Sequence, residues 1–352
     1  TPMPARGVSD QIHYAGIRTF FQKQFADSSS VAETNANRVM NRLLEYSRSN
    51  IQTDGLVADD THTTPYMFIA LKMAKFIETY TLVEAISTMS SGDKAEIEAW
   101  FKEWNDFFKV VLRFSSEVAY GPNWENEEYV STDYNFAVQN SSTRTNPIDG
   151  RTSTGAQQTG LNNIRAHMMG LIHTYGIYFN EQDSKDLSFA WYKMMVQLNH
   201  FSDGTTAEMI RSYNGNESLG LVYNMVNLTA SIKAAITQKI AVVNGLDGAD
   251  NADEYFDYLT SKGTDDYPGL SDYVGTSTSG GNKNLLLLFK NHLDYKRQHG
   301  GQGHSPQRRL NGDLMDGDAK MTHRPAAAIM DLFYNDDEID AAIINDGNYG
   351  YT

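Results

Sequence analysis

Wherever apolar residues of this chain recur at a regular interval, the interval is three or four positions and never two. Spacing near 3.6 gathers side chains on one face of a helix, whereas a half-buried strand needs strict alternation. Between Met67 and Met89 the series Phe68, Leu71, Ala74, Ile77, Tyr80 and Val83 keeps to the helical rule, and so does the stretch from Ile17 to about Ser47. Ser90-Ser91-Gly92-Asp93 then supplies a turn and an N-cap, and Ile97, Trp100, Phe101, Trp104, Phe108 and Leu112 follow at helical spacing between Lys94 and Phe114. Further helices are expected over Ile164 to Phe179, Asp186 to Asn199, Ser218 to Val243, Asn284 to Tyr295 and Pro325 to Phe333. The Thr/Val-rich pieces, Ser131 to Asn140 and Val274 to Ser279, are short and polar. The expected fold class is therefore all-α.

A chain of 352 residues is too long for a four-helix bundle. About ten helices joined by polar loops fit a single domain, 1–352, built as an α/α toroid: a ring of antiparallel helical hairpins, closed or incomplete, around a cleft. No repeat of fixed period argues for a solenoid. Two long loops, at about 115–160 and 296–324, read as binding loops or lids. The second gathers Lys296, Arg297, Arg308, Arg309, Lys320 and Arg324 within a chain of net charge -15. One reading is a solvated loop balanced by Asp313, Asp316 and Asp318. The other is a cationic wall, with Arg308 and Arg309 receiving an anionic ligand, since guanidinium forks match carboxylates.

Composition removes whole classes of function. The acidic balance repels duplex nucleic acid and anionic membranes at long range, so neither is an expected partner. No apolar run approaches the roughly 18 residues a membrane helix needs. Cysteine is absent, which excludes disulfides, thiolate nucleophiles and Cys-based metal sites. No His-x-x-x-His or comparable cluster suggests a metal either, and no cofactor is expected. The opening Thr1-Pro2-Met3-Pro4-Ala5 reads as a processed N-terminus, so a secreted or periplasmic protein is expected.

Chemistry concentrates in two segments. One is Gly160-Leu161-Asn162-Asn163-Ile164-Arg165-Ala166-His167. The other runs from Asp203-Gly204 through Glu208, Arg211 and Tyr213 to Ser218-Leu219 and Tyr223. Each places polar groups at the start of an expected helix. In order and rough spacing the pair resembles the all-α alginate lyases, in which an Asn-Asn-His helix start precedes an Asp-Gly-Ser, Glu, Arg, Ser-Leu, Tyr run. The resemblance spans about residues 70 to 260. It departs from the family pattern at Ile164, which stands where that pattern has His, and in the twelve-residue interval from Arg211 to Tyr223, which is shorter in the family.

The resemblance implies a polysaccharide lyase that cleaves a uronate polymer, most readily alginate, by β-elimination, with a mannuronate-type activity favoured. The proton on C5 becomes acidic only when the charge of the adjacent carboxylate is offset. Asn163, with Asn162 or Arg211 beside it, would donate hydrogen bonds to that carboxylate. A phenol, Tyr223 or the competing Tyr213, would take the C5 proton and return one to O4. His167, four residues after Asn163 and so one turn along the same face, is the leading second base for an anti elimination, with His200 in reserve. Trp124 would offer a ring on which a sugar stacks, whereas Trp100, Trp104 and Trp191 sit at core spacing. The expected protein is a monomer whose partner is an anionic polysaccharide. Two alternatives stay open: a toroidal glycoside hydrolase using paired carboxylates such as Asp203 and Glu208, and a helical polysaccharide-binding protein without catalysis.

Overall fold

The computed structural model describes residues 6–25, 29–49, 53, 56, 63–126, 143–145, 152–154, 163–199, 227 and 230. Among them stand six α-helices: α1 (Arg6–Phe25), α2 (Ser29–Arg48), α3 (Thr63–Val83), α4 (Ser91–Tyr120), α5 (Asn163–Tyr178) and α6 (Gln182–Asn199). A 3-10 turn, Trp124–Asn126, follows α4. A three-residue ribbon then pairs β1 (Thr143–Thr145) antiparallel with β2 (Thr152–Thr154), with Arg144 opposite Ser153. The described part of the protein is thus α-helical apart from that ribbon. Asn227 and Ala230, the described residues of the segment expected to be helical from Ser218 to Val243, are both in helix. The helices expected at Asn284 to Tyr295 and Pro325 to Phe333, and the loop 296–324, lie outside the described residues.

The chain divides into two compact units, one of Thr1–Ser115 with His167–Ser188, the other of Ser116–Ala166 with Phe189–Thr352. In the first unit α1 packs on α2 and α3. Asp10 of α1 pairs with Lys75 of α3 and His13 bonds Thr79 at 3.0 Å, so the two helices run in the same direction. Asn37 of α2 accepts a bond from Ser87, beyond the end of α3, at 2.6 Å. Tyr46, farther along α2, stacks on Phe76 near the middle of α3 at 5.6 Å, so α2 runs against α3. Tyr66 meets Phe107 edge-on at 5.2 Å while Tyr80 meets Phe101 at 5.7 Å, so α4 runs against α3 as well. Direction alternates from α1 to α4, as in a succession of antiparallel helical hairpins.

The core of this unit is aromatic. Phe76, Tyr80, Trp100, Phe101, Trp104 and Phe108 are buried together with Met73, Ile77 and Ile97. Ser90 is the N-cap of α4 as its sequence suggests: its Oγ accepts from the Asp93 N–H at 3.1 Å and donates to the Asp93 carboxylate at 2.7 Å. The helix outruns its expected end, continuing through Ser115 and Ser116 to Tyr120. Ser115 Oγ folds back onto the Leu112 carbonyl at 3.1 Å, which lets a residue with turn preference stay helical. Thus the loop expected from residue 115 begins in helix, and the short 3-10 turn and the ribbon occupy part of the remainder.

Helix α5 ends in a Schellman turn. The Glu181 N–H bonds the Gly176 carbonyl at 3.0 Å, and Asn180 takes a φ of 52°, the left-handed conformation that Asn tolerates better than most side chains. Glu181 then caps α6, its carboxylate accepting from the Ser184 N–H at 2.7 Å. The tight turn brings α5 against α6. A Cβ at Gly176 would stand 2.9 Å from the Lys185 backbone nitrogen, so only glycine allows this approach.

Candidate active site

Helix α5 begins at Asn163, within the Asn-Asn segment where the sequence suggests a helix start. Four N–H groups at such a start have no partner inside the helix, and the macrodipole places partial positive charge there, so the first turn suits a carboxylate. Asn163 is 4 % exposed. Among Asn163 to Ile177 only Ile164, His167 and Gly170 are partly exposed, and these follow one another at intervals of three along one side of the helix. His167 therefore lies on the accessible edge of α5, one turn beyond the buried amide of Asn163.

Arg165 sits inside the Asn-Asn-Ile-Arg-Ala-His run, where residue spacing alone does not mark it. It is 3 % exposed. A guanidinium keeps its charge even when buried, so Arg165 places a fixed charge within the first turn of α5. The signal was an Arg at the third helical position, where a cation works against the dipole and so calls for a specific reason. Trp124, expected as a stacking face, is 2 % exposed in its 3-10 turn and so offers no free ring face in this arrangement. Asn162, His200, Arg211, Tyr213, Tyr223, Arg308 and Arg309 lie outside the described residues.

A second concentration of charge clamps the α5–α6 turn to α4. Lys109 Nζ lies 3.2 Å from Asp106, 3.3 Å from Glu181 and 2.9 Å from Asp183. Arg113 binds Asp183 with both terminal nitrogens, at 2.5 and 3.2 Å. Burial works to lower the Lys109 ammonium pKa, yet the bond to Asp183, the charge of Glu181 and the bond to Asp106 carry it above its ordinary value. The Arg113 hydrogen bond, against some desolvation and reinforced by Lys109, holds the Asp183 carboxyl down at about 2. Beneath them Asn105 and Ser184 exchange buried hydrogen bonds at 2.9 and 3.1 Å. Every charge here is answered by another, which suits a structural joint better than a group that must exchange protons with substrate.

Among the described residues no group of three or more His, Asp or Glu side chains is placed to hold a metal ion. No helix there is long and apolar enough to cross a membrane. No family model, curated protein or solved structure matches the chain.

Proposed function

We propose that this chain is a polysaccharide lyase that cleaves a uronic-acid polymer, alginate foremost, by β-elimination, its helical hairpins ringed into an α/α toroid around the cleft. The observation that carries the reading is the start of α5, where a buried Asn163 stands one turn from a partly exposed His167. That pairing answers the two demands of the chemistry. A group must offset the substrate carboxylate so that C5 can lose its proton, and a titratable group must be within reach of the ring. The alternating direction of α1 to α4 supports the toroid, because hairpins closing into a ring need every second helix to run the same way.

In the proposed reaction Asn163 and Arg211 hydrogen-bond the carboxylate. The Tyr223 phenolate removes the C5 proton, the electrons form C4=C5, the C4–O4 bond breaks, and the phenol returns the proton to O4. His167 serves as base for the uronate epimer whose C5 proton lies on the opposite face. The substrate is an anionic polysaccharide met outside the cytoplasm, and the enzyme acts as a monomer without a metal or cofactor.

The test is ultraviolet absorbance of the new C4=C5 bond across a panel of purified polyuronates. A lyase produces it, a hydrolase yields reducing ends without it, and a binding protein yields neither. Asn163→Ala should lower turnover roughly 10²-fold, the usual scale for losing one donor aimed at developing charge. Full activity in that variant would refute the role given to α5.

A further inference from the structure

Helix α1 wears its aromatics on the outside. Tyr14 is 69 % exposed, Phe21 53 % and Phe25 80 %, while its buried positions are Ser9, Ile12, Gly16 and Thr19. Gln11, Tyr14, Arg18, Phe21 and Phe25 recur at intervals of three and four, so they make one continuous strip, all of it exposed. From Tyr14 to Phe25 it extends about 16 Å at the helical rise, long enough to lie under several pyranose rings. Phe21 and Phe25 are already stacked on each other, with centroids 5.7 Å apart and planes 24° from parallel.

The charge of this helix differs in sign from that of the chain. The sequence of α1 holds Arg6, Arg18 and Lys23 against a lone acid, Asp10, whose carboxylate is taken by Lys75 of α3. Arg18 and Lys23 are exposed, and the net charge of the whole is -15. An aromatic strip with a guanidinium set between its rings matches a ligand that carries flat apolar ring faces and carboxylates in alternation. Two copies packed through this strip would bring like cations together on top of two strongly acidic bodies. A lipid surface calls for a wide apolar face, and here the inward side of α1 is used for packing on α2 and α3.

We propose that the outward strip of α1, formed by Tyr14, Arg18, Phe21 and Phe25, is an auxiliary binding platform for an anionic polysaccharide strand, distinct from the α5 site. It names the substrate class of the lyase reading and rests on that reading for its biological sense, but it is tested by binding rather than by cleavage. The strip holds a long polymer by ring stacking and carboxylate contacts, and a short oligosaccharide confined to the cleft does not need it.

Native electrophoresis of the full chain, in gels cast with a soluble polyuronate or with a neutral glucan, measures the contact directly. The wild type should be retarded by the polyuronate and not by the glucan. Tyr14→Ala/Phe21→Ala/Phe25→Ala should bind roughly tenfold or more weakly, each ring contributing a modest share, and Arg18→Gln should weaken retention without altering the circular dichroism. Turnover of a short oligouronide should be the same in all these proteins. An unretarded wild type, or a triple variant retarded like the wild type, overturns the proposal. So does wild-type sedimentation with phosphatidylglycerol vesicles, or a dimer that the triple variant loses, when polyuronate retention is absent. Retention without double-bond formation on any polyuronate would leave the platform standing and remove the lyase reading. Cleavage with strip variants that bind normally would do the reverse.

Discussion

Replacing Gly176 by alanine should destabilise the protein, and the same replacement at Gly170 should stabilise it. Both glycines lie in α5, six residues apart on one regular helix. At Gly176 a Cβ would stand 2.9 Å from the Lys185 backbone nitrogen, 3.0 Å from Lys185 Cγ and 3.1 Å from Ser184 Cβ. Two of those neighbours have little room to retreat. The Lys185 N–H bonds the Glu181 carbonyl at 3.2 Å, and Ser184 is held by the buried pair with Asn105. Overpacking of that kind costs about 1–3 kcal/mol, and a constrained backbone neighbour puts Gly176→Ala near the upper end. Against this runs the helix-propensity gain of up to about 1 kcal/mol, which leaves a net loss of about 2 kcal/mol. At Gly170 nothing lies within 4 Å of the position a Cβ would take, so the gain of about 0.5–1 kcal/mol stands unopposed. Urea unfolding should show the two midpoints moving in opposite directions at an unchanged slope. If Gly176→Ala matched or exceeded the wild type, the close approach of α5 to α6 described above would be wrong.

Ser90→Ala should cost about 1 kcal/mol in the same assay, because the α4 cap loses its acceptor, and Ser90→Asp should restore most of it. Burial, with the charges of Asp106, Glu181 and Glu98, pushes the Tyr175 phenol from an ordinary 10.0 up to about 12. Its contribution is therefore complete below pH 10 and lost as pH rises through 12; Tyr175→Phe should make the alkaline decline of stability shallower, read by circular dichroism against pH. Asp183 behaves oppositely: its carboxyl is drawn from an ordinary 3.8 to about 2, so its contribution is complete above pH 4 and lost as pH falls through 2. Asp183→Asn should flatten the acid side of the stability profile, modestly, because the side chain is 45 % exposed.

Helix α4 could be read almost whole from the sequence, because its cap is explicit and its buried Ile97, Trp100, Phe101, Trp104 and Phe108 keep strict helical spacing. Its last turn could not, since Ser115 and Ser116 carry a loop preference that tertiary burial overrides. Helix α1 shows the deeper reason why periodicity fails. It packs through Ser9, Gly16 and Thr19, and a Cβ at Gly16 would lie 2.7 Å from Thr79 Cγ2, so close approach rather than side-chain bulk fills that seam. Ile12 is its one buried large apolar side chain, whereas Tyr14, Phe21 and Phe25 point away, and a reading that looks for them inside finds the regular spacing only from Ile17 onward. At the candidate site, the Asn163 to His167 spacing was legible because both sit on one regular helix. Burial of Trp124 was not, since a Trp between Pro122-Asn123 and Glu125-Asn126 looks locally like an exposed loop residue.

The first unit is discontinuous in sequence, and a ribosome meets that fact as a delay. Helices α1 to α4 emerge with their neighbours already made, but the partner of Asn105 is Ser184, 79 residues downstream. At about 5–20 residues per second, roughly 4 to 16 s pass before the α5–α6 turn can dock. Through that interval Lys109 and Arg113 are without Glu181 and Asp183. The nascent four-helix segment keeps an unsealed, positively charged seam until the chain returns to close it.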